Sequence, residues 1–243
     1  MNLVKFEKWN AIVASLAFLI ALVTYSLTVE PTASYWDCAE YISTSAKLQI
    51  GHPPGAPLFQ MLGAFFSSFA LENEKIALMV NMMSVFASAF TILFLFLTTT
   101  IIGKKIVLKN DSISNSNAII ILGSSLIGSL CFTFSDSFWF NAVEAEVYAM
   151  ATMIMALLFW LGFKWEENID KKGGDRWLVL ISFVVGLSFG VHFMGLLVIP
   201  AIGMIYFFKK NPSPTFKGFV LANILSVTIL LFIFKLLLPS SLG

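Results

Sequence analysis

Long apolar segments separated by short polar connections constrain the fold of this chain more than any other feature. They recur along the whole sequence, and about 20 apolar residues are what a helix needs to cross the hydrocarbon core of a bilayer. With 58% hydrophobic and 12% charged residues, the chain is too apolar for a soluble domain. The pattern predicts an all-α polytopic membrane protein, a bundle of about seven spans. The expected spans are residues 11–29, 76–102, 118–134, 142–163, 177–190, 195–208 and 219–238.

Basic residues predict the orientation, because cytoplasmic loops are enriched in lysine and arginine. Most of them lie in three polar connections, at residues 103–117, 164–176 and 209–217. These connections share one side of the membrane only if residues 55–71 do not cross it, and instead lie on the outer surface or dip partway into the bilayer. Lys5 and Lys8 precede the first span, which we interpret as an uncleaved signal anchor with a cytoplasmic N-terminus. Residues 30–75 are then an external loop.

The stretch from residue 177 to 208 leaves two topologies open. Each half is short for a span, and the break between them depends on the sequence Gly190-Val191-His192. A single long tilted helix is the alternative, and it would invert the direction of the last span.

The external loop contains the densest group of reactive side chains, within SYWDCAEYISTSAKLQIGHPPGAPLFQMLG at residues 34–63. A helix over residues 34–48, turning about 100° per residue, would have one polar and one apolar face. The polar face would carry Asp37, Glu40, Tyr41, Thr44 and Lys47, and the apolar face Ala39, Ile42 and Ala46. The helix should end near Gly51, since His52-Pro53-Pro54 forces extended backbone. Pro57 suits the first turn of a second helix, which we expect to run through Phe66.

Asp37 has two possible roles at this point. Ser34-x-x-Asp37 fits a capping box, in which Asp37 would only satisfy backbone donors of the helix. That role does not account for Glu40, Lys47 and His52, so the loop is also a candidate active site.

A second group of polar residues lies near the start of the fourth expected span, in SDSFWFNAVEAEVYAM at residues 135–150. Glu144 and Glu146 occur there inside apolar sequence, with Tyr148 close by. Ionisable groups at membrane depth are costly and usually face a polar cavity, although a satisfied interhelical hydrogen bond is the alternative. His192 at an outer turn could be a buried hydrogen-bonding group, and Lys235 could simply extend its amine to the surface.

An outward acid, a second acid from another loop and few cations are suited to transfer of a sugar from a lipid phosphate to a hydroxyl. A serine or threonine hydroxyl is a weak nucleophile and needs a carboxylate to accept its proton; we expect this base to be Asp37. The growing charge of the leaving phosphate requires donors or a cation, and Lys47, His52 and Lys235 are candidates. Substrate contacts are expected at Lys47, His52, Glu144, Glu146, Tyr148, His192 and Lys235.

Four sequence blocks resemble a known family: WDCAEYI, KLQIGHPPGAPLF, FWFNAVEAEVYAM and GLSFGVHFMG. They are similar to the N-terminal membrane domain of bacterial and animal multispanning proteins whose animal branch comprises protein O-mannosyltransferases, in the GT-C class of glycosyltransferases. The resemblance implies one GT-C-like module over residues 1–243, without cofactor or metal, that transfers mannose from a polyprenyl phosphate with inversion. Asp37 and Glu40 match the two acids of the first external loop, and both are expected to be catalytic.

The resemblance also implies partners and a location. The partners are a polyprenyl-phosphate sugar donor, an exported protein acceptor and membrane lipids, and no basic stripe indicates nucleic acid. The location is a bacterial inner membrane with the active site facing the periplasm. Because family members are longer, we expect the chain to be the N-terminal part of a larger protein. A transporter or channel with a relay through Glu144, Glu146 and His192, or a non-catalytic assembly subunit, are the competing functions.

The orientation generates the first prediction. A single cysteine introduced at Asn73 should react with a membrane-impermeant thiol reagent added from outside the cell, whereas one at Ser112 should react only after the membrane is opened. The reason is that lysine-rich connections stay in the cytoplasm. The reverse labelling pattern would contradict the assignment of the external loop.

Overall fold

The computed structural model describes residues 3–108 and 113–237, and this part of the chain is helical without strands. The α-helices are α1 (Leu3–Thr28), α2 (Cys38–Lys47), α3 (Pro57–Ser67), α4 (Ile76–Val107), α5 (Asn115–Thr133), α6 (Asp136–Ala142), α7 (Val147–Glu166), α8 (Asp175–Ser188), α9 (Val198–Lys210) and α10 (Phe216–Leu237). Two 3₁₀ turns, Asn73–Lys75 and Phe193–Leu197, precede α4 and α9.

Six helical segments within the described residues are long and apolar enough to cross a membrane, which confirms an all-α integral membrane protein. They are Val4–Thr28, Asn73–Val107, Asn115–Thr133, Val147–Glu166, Phe193–Lys210 and Phe216–Leu236. The remaining expected span, 177–190, corresponds to α8. Its 14 residues extend about 21 Å, less than the roughly 30 Å of a hydrocarbon core. Residue 238 of the last expected span, and residues 109–112 of one basic connection, lie outside the described part.

Ion pairs tie the helices together at one end of the bundle, which we call the basic end. Lys104 of α4 lies 3.1 Å from Glu7 of α1, Lys105 pairs with Glu166 of α7, and Lys210 of α9 lies 2.6 Å from Asp170. The opposite end, the acidic end, carries the loop of residues 30–75, the short helix α6 and the turn between α8 and α9.

The break at Gly190 separates two passes through the bundle. The chain enters α8 after Asp170 at the basic end and reaches the acidic end at Gly190, where it contacts Leu58. It then returns through α9 to Lys210. Residues 177–208 therefore form two antiparallel segments, and the alternative of one long helix is not observed.

α4 is the central helix, and small residues let its neighbours approach closely. Ala87 of α4 belongs to the same buried cluster as Ala149 and Ala151 of α7, and Ala89 to the same cluster as Ala17 of α1. Lipid tails are as apolar as leucine, so helices in a membrane gain mainly from such close packing.

The side chain of Asn81 attaches the external loop to α4. It is fully buried, and its Nδ2 donates to the carbonyl oxygens of Glu30 at 2.6 Å and Thr32 at 2.8 Å. Its Oδ1 lies 3.8 Å from Cys38 Sγ at the start of α2. The buried amide of Asn81 thus donates to two loop carbonyls that lie outside the helices and have no partner within a helix.

The amphipathic helix of the loop is shorter than expected, and its faces differ from the prediction. It begins at Cys38 rather than Ser34, and Tyr41 and Thr44 are buried while Ala39 is exposed. The face assignments were wrong for those three residues. Tyr41 is buried against Phe59 of α3, with ring centroids 5.1 Å apart, and Thr44 accepts a hydrogen bond from Gln60 of α3 at 3.1 Å. A hydroxyl with such a partner can be buried at little cost. The second helix confirms the expectation, with Pro57 in its first turn.

Gly190 joins α3 to the turn after α8. Its carbonyl accepts hydrogen bonds from the backbone N–H groups of Leu58 at 2.7 Å and Phe59 at 3.1 Å, so it satisfies two of the free donors at the start of α3. A methyl group at Gly190 would lie 2.7 Å from Leu58 Cβ and 3.2 Å from its backbone nitrogen. Only glycine permits this approach.

Gly190→Ala should therefore destabilise the protein by about 1–3 kcal/mol, the usual cost of overpacking a tight site. Gly186→Ala is the matched control. Gly186 lies in α8, and among the described residues no heavy atom comes within 4 Å of an added methyl group there. The control should be neutral or slightly stabilising because alanine favours a helix over glycine. Thermal unfolding in detergent measures both, and equal melting temperatures would contradict the close approach.

Candidate active site

The turn His52–Gly55 is the fixed corner of the site. The N–H of Gly55 donates to the carbonyl of His52 at 2.8 Å, and Gly55 has a φ of 79°, a conformation that favours glycine. The predicted corner between two helices is thus present. It presents the His52 side chain, which is 44% exposed, towards the start of α2.

Glu40 positions His52. Its Oε1 accepts a hydrogen bond from the His52 backbone N–H at 2.6 Å, and its Oε2 lies 3.1 Å from Nδ1 of the His52 ring. These hydrogen bonds lower the pKa of Glu40, and the same carboxylate raises the pKa of His52. Both oxygens of Glu40 are engaged with one residue, so Glu40 orients the imidazole and favours its protonated form.

Asp37 immediately precedes α2, which begins at Cys38, but the Asp37 side chain does not cap the helix. Within the described residues the Asp37 side chain accepts no hydrogen bond from the backbone N–H groups of the helix, and the hydroxyl of Ser34 is directed to Glu144, to which it donates. The capping-box geometry is therefore not observed. The Asp37 carboxylate is 55% exposed and lies 3.9 Å from Nε2 of His52.

Two cavities meet at Asp37, Glu146 and Tyr148. The histidine cavity has a volume of about 210 Å³, and its other lining residues are Tyr41, His52, Pro54, Gly55, Val147, Phe189, Val191, His192 and Phe193. The acidic cavity has a volume of about 290 Å³ and is further lined by Trp36, Phe140, Asn141 and Glu144. The three shared residues border both cavities, which therefore adjoin at Asp37, Glu146 and Tyr148.

Glu144 and Glu146 are buried carboxyl groups that line the acidic cavity. They are 1% and 4% exposed, and Oε1 of each has no hydrogen-bond partner in the part of the chain described. Burial raises the pKa of Glu144. Burial, together with the nearby charges of Asp37 and Glu144, raises the pKa of Glu146 to about 7. Glu146 can therefore exchange a proton near neutral pH.

His192 provides a donor to the histidine cavity from the opposite side to His52. Its Nδ1 accepts a hydrogen bond from the backbone N–H of Met194 at 3.2 Å, which assigns the proton of the neutral ring to Nε2. Burial lowers the pKa of this imidazole. Its ring lies 5.4 Å from the ring of Tyr148.

The structure brings together most of the residues that the sequence singled out. Seven of them line the cavities or hold a residue that does: Asp37, Glu40, His52, Glu144, Glu146, Tyr148 and His192. Lys47, at the end of α2, and Lys235, in the last turn of α10, are exposed and line neither cavity. Their expected contacts with the substrates stay predictions.

Sequence reasoning missed residues that act through tertiary contacts. Asn81 is an ordinary residue of an apolar segment, and Gly190 was identified only as part of a break between segments. No local pattern indicates that either residue anchors the external loop. Trp36 directly precedes Asp37 in the WDCAEYI block, so the sequence shows that the two residues are neighbours. That Trp36 lines the acidic cavity could not be predicted from the sequence.

One group of side chains could hold a metal ion. Ligand atoms of Asp37, Glu40 and His52 all lie within 4.8 Å of one another, and carboxylate and imidazole groups are common metal ligands. In the observed arrangement, both Glu40 oxygens and the Nδ1 of His52 are used between these two residues. A metal would have to compete with that interaction.

Residues 37–215 of the chain match the family described as "Protein O-mannosyl-transferase TMEM260 N-terminal domain", well over half of the sequence. The chain belongs to this family. The match to the TMEM260 N-terminal domain begins at Asp37 and includes Glu40, His52, Glu144, Glu146, Tyr148 and His192, whereas Lys235 lies beyond it.

Two relatives of this TMEM260-type chain come from eukaryotes. The protein O-mannosyl-transferase tmem260 of Dictyostelium discoideum is 27% identical over 198 residues, which are 76% of this chain and 22% of the relative. The protein O-mannosyl-transferase TMEM260 of Mus musculus is 26% identical over 171 residues, 70% of this chain and 22% of the relative. The chain thus spans about a fifth of the length of these relatives. No solved structure matches it.

The buried carboxyl of Glu146 predicts a pH-dependent stability. Because the pKa is raised in the fold, the stabilising contribution of the protonated group is fully present below about pH 4.5 and is lost as pH rises through about 7. Glu146→Gln cannot ionise and lacks this loss. Between pH 5 and 8 the melting temperature of the wild type should therefore fall more than that of Glu146→Gln, by on the order of a few °C.

Glu74→Gln, which changes an exposed acid at the same end, is the control and should keep the wild-type pH dependence. Parallel melting curves for the wild type and Glu146→Gln across this range would contradict the raised pKa.

Proposed function

We propose that this protein is an O-mannosyltransferase that moves mannose from a polyprenyl phosphate to a serine or threonine hydroxyl of an exported protein. The observation that carries the proposal is the position of Asp37: an exposed carboxylate at the junction of two cavities, opposite His52. The family described as protein O-mannosyl-transferase supplies the reaction class. Mannose, the lipid donor and the acceptor are parts of the proposal.

The donor phosphate fits the histidine cavity. His52 and His192 both line it; Glu40 favours the protonated ring of His52, and Nε2 of His192 is a neutral donor. Two N–H groups can thus stabilise the negative charge that grows on the leaving phosphate. Gly55 lines the same cavity, and a methyl group there would meet no heavy atom within 4 Å in the described part of the protein.

The reaction is a single displacement. The oxygen of the acceptor hydroxyl forms a bond to the anomeric carbon, and the bond between that carbon and the phosphate oxygen breaks with its electron pair on the phosphate. The hydroxyl proton passes to the Asp37 carboxylate. Attack from the side opposite the phosphate inverts the anomeric configuration. Asp37 lines both cavities, so it can contact a hydroxyl in one and lie beside a donor in the other.

The orientation follows from the separation of charge along the bundle. Lys104, Lys105 and Lys210 are at the basic end, which we place in the cytoplasm by the positive-inside rule. The acidic end then faces outward, where an exported acceptor would arrive. A bacterial inner membrane with a periplasmic site is the location proposed from the sequence resemblance. The two relatives named above come from Dictyostelium and mouse.

Asp37→Asn tests the base directly. Asparagine keeps the size and the hydrogen-bonding oxygen but cannot accept the proton, so transfer to a serine-containing peptide should fall by roughly 10²–10⁴-fold. Binding of the lipid donor should stay close to that of the wild type. The measurements are donor binding and single-turnover transfer, each with and without a chelator, and we expect the chelator to change neither.

Asp136→Asn is the matched control, because Asp136 is an exposed aspartate at the same end of the bundle and lines neither cavity. It should transfer at the wild-type rate. Full transfer by Asp37→Asn would remove Asp37 from the role of base. A rate abolished by the chelator would instead assign Asp37, Glu40 and His52 to a metal.

A further inference from the structure

The acidic cavity carries negative charge without a compensating cation. Asp37, Glu144 and Glu146 line it, and none of its lining residues in the described chain is basic. Glu144 and Glu146 are at least nine-tenths buried, and each has an Oε1 atom without a hydrogen-bond partner among the described residues. Buried polar atoms are normally satisfied, so such oxygens at a cavity wall indicate a ligand that donates hydrogen bonds.

Two exposed aromatic side chains border the same cavity. Trp36 is 85% exposed and Phe140 is 47% exposed. Trp36 also has a φ of 59°, a left-handed conformation that is unusual for a bulky side chain. Such a conformation costs free energy and tends to occur where function requires it. Here it holds a large aromatic surface in solvent, directly before the proposed base.

The charge of this cavity separates it from the histidine cavity. A lipid phosphate would meet three acidic side chains and no basic one among the described residues of the acidic cavity, whereas the histidine cavity offers it two imidazole donors. A polypeptide has the opposite preference. Its backbone N–H groups and any lysine or arginine side chain can donate to the unpartnered oxygens of Glu144 and Glu146, and its apolar parts can pack on Trp36 and Phe140.

We propose that the acidic cavity binds the acceptor polypeptide and selects segments with a lysine or arginine next to the target serine or threonine. The inference rests on the proposed function, because it assigns the second substrate of that reaction. Asp37 lines both cavities, so a hydroxyl in this cavity can contact it while the donor phosphate lies in the histidine cavity, and attack on the face of the anomeric carbon opposite the phosphate gives inversion. Glu144 and Glu146 bind and orient the acceptor, and Trp36 shapes the edge of its site.

Peptide binding tests the inference independently of transfer. Three fluorescent peptides carry alanine in place of the target serine, so they cannot react, and differ only in the neighbouring residue: lysine, glutamine or glutamate. At low ionic strength the lysine peptide should bind at least about tenfold more tightly than the glutamate peptide. The difference should shrink in high salt, because exposed charges are screened. Fluorescence anisotropy with the protein in nanodiscs measures all three.

Variants locate the site. Glu144→Gln keeps an oxygen that can accept from Ser34 but removes the charge, and should reduce the lysine-to-glutamate ratio severalfold. Trp36→Ala should weaken all three peptides by about tenfold and leave donor binding unchanged. Tyr35→Ala is the matched control, because Tyr35 is 80% exposed and lines neither cavity; it should bind the peptides like the wild type. Melting temperatures confirm that each variant is folded.

The outcomes separate this inference from the proposed function. Equal affinity for the three peptides, or equal effects of Trp36→Ala and Tyr35→Ala, would overturn the acceptor site. A lysine-to-glutamate preference that falls in Glu144→Gln, without transfer from any lipid-linked sugar to a serine-containing peptide, would support the site and contradict the proposed reaction. Transfer to serine peptides with no preference for a basic neighbour would support the reaction and contradict the charge selection.

Discussion

The buried amide of Asn81 joins the apolar bundle to the loop that carries its reactive groups. The Asn81 side chain is fully buried, so its amide needs hydrogen-bond partners such as loop carbonyls, and leaving it unsatisfied would cost free energy. Asn81 satisfies two such carbonyls, from Glu30 and Thr32, and also contacts Cys38 at the start of α2. The position of Asp37, one residue earlier, follows from this attachment. The chemistry of the acidic end therefore depends on a neutral residue near the start of α4.

A second attachment completes the site from the other side. The carbonyl of Gly190 bonds to the start of α3, which brings His192 towards the His52–Gly55 turn. Both histidines then line one cavity although they come from distant parts of the chain. The two attachments use the neutral side-chain amide of Asn81 and the backbone carbonyl of Gly190, so they hold the loop without adding charge to the site. The charges that remain are available for substrates.

The carboxyl groups of the acidic end occupy different environments, which give Glu40 and Glu146 pKa values shifted in opposite directions. Glu40 is held by two contacts with His52, which lower its pKa. Glu146 is buried without enough donors, which raises its pKa to about 7. Asp37 lies between them, exposed and 3.9 Å from an imidazole. Environments that push the pKa values of neighbouring acids apart are how proteins divide positioning and proton transfer among similar side chains.

Several features were determined by the sequence alone because they depend on local rules. Apolar run length predicts membrane helices; the proline-rich corner and the helix from Pro57 follow from the restricted backbone of proline. The polar groups around Asp37 and Glu146 could be identified in the sequence, because ionisable side chains within or beside apolar segments are costly and usually mark function. The tertiary structure decided the rest: the burial of Tyr41 and Thr44, the attachments at Asn81 and Gly190, and the division of the site into two cavities. These depend on which distant segments meet, and no local periodicity encodes a hydrogen bond between residues far apart in the chain.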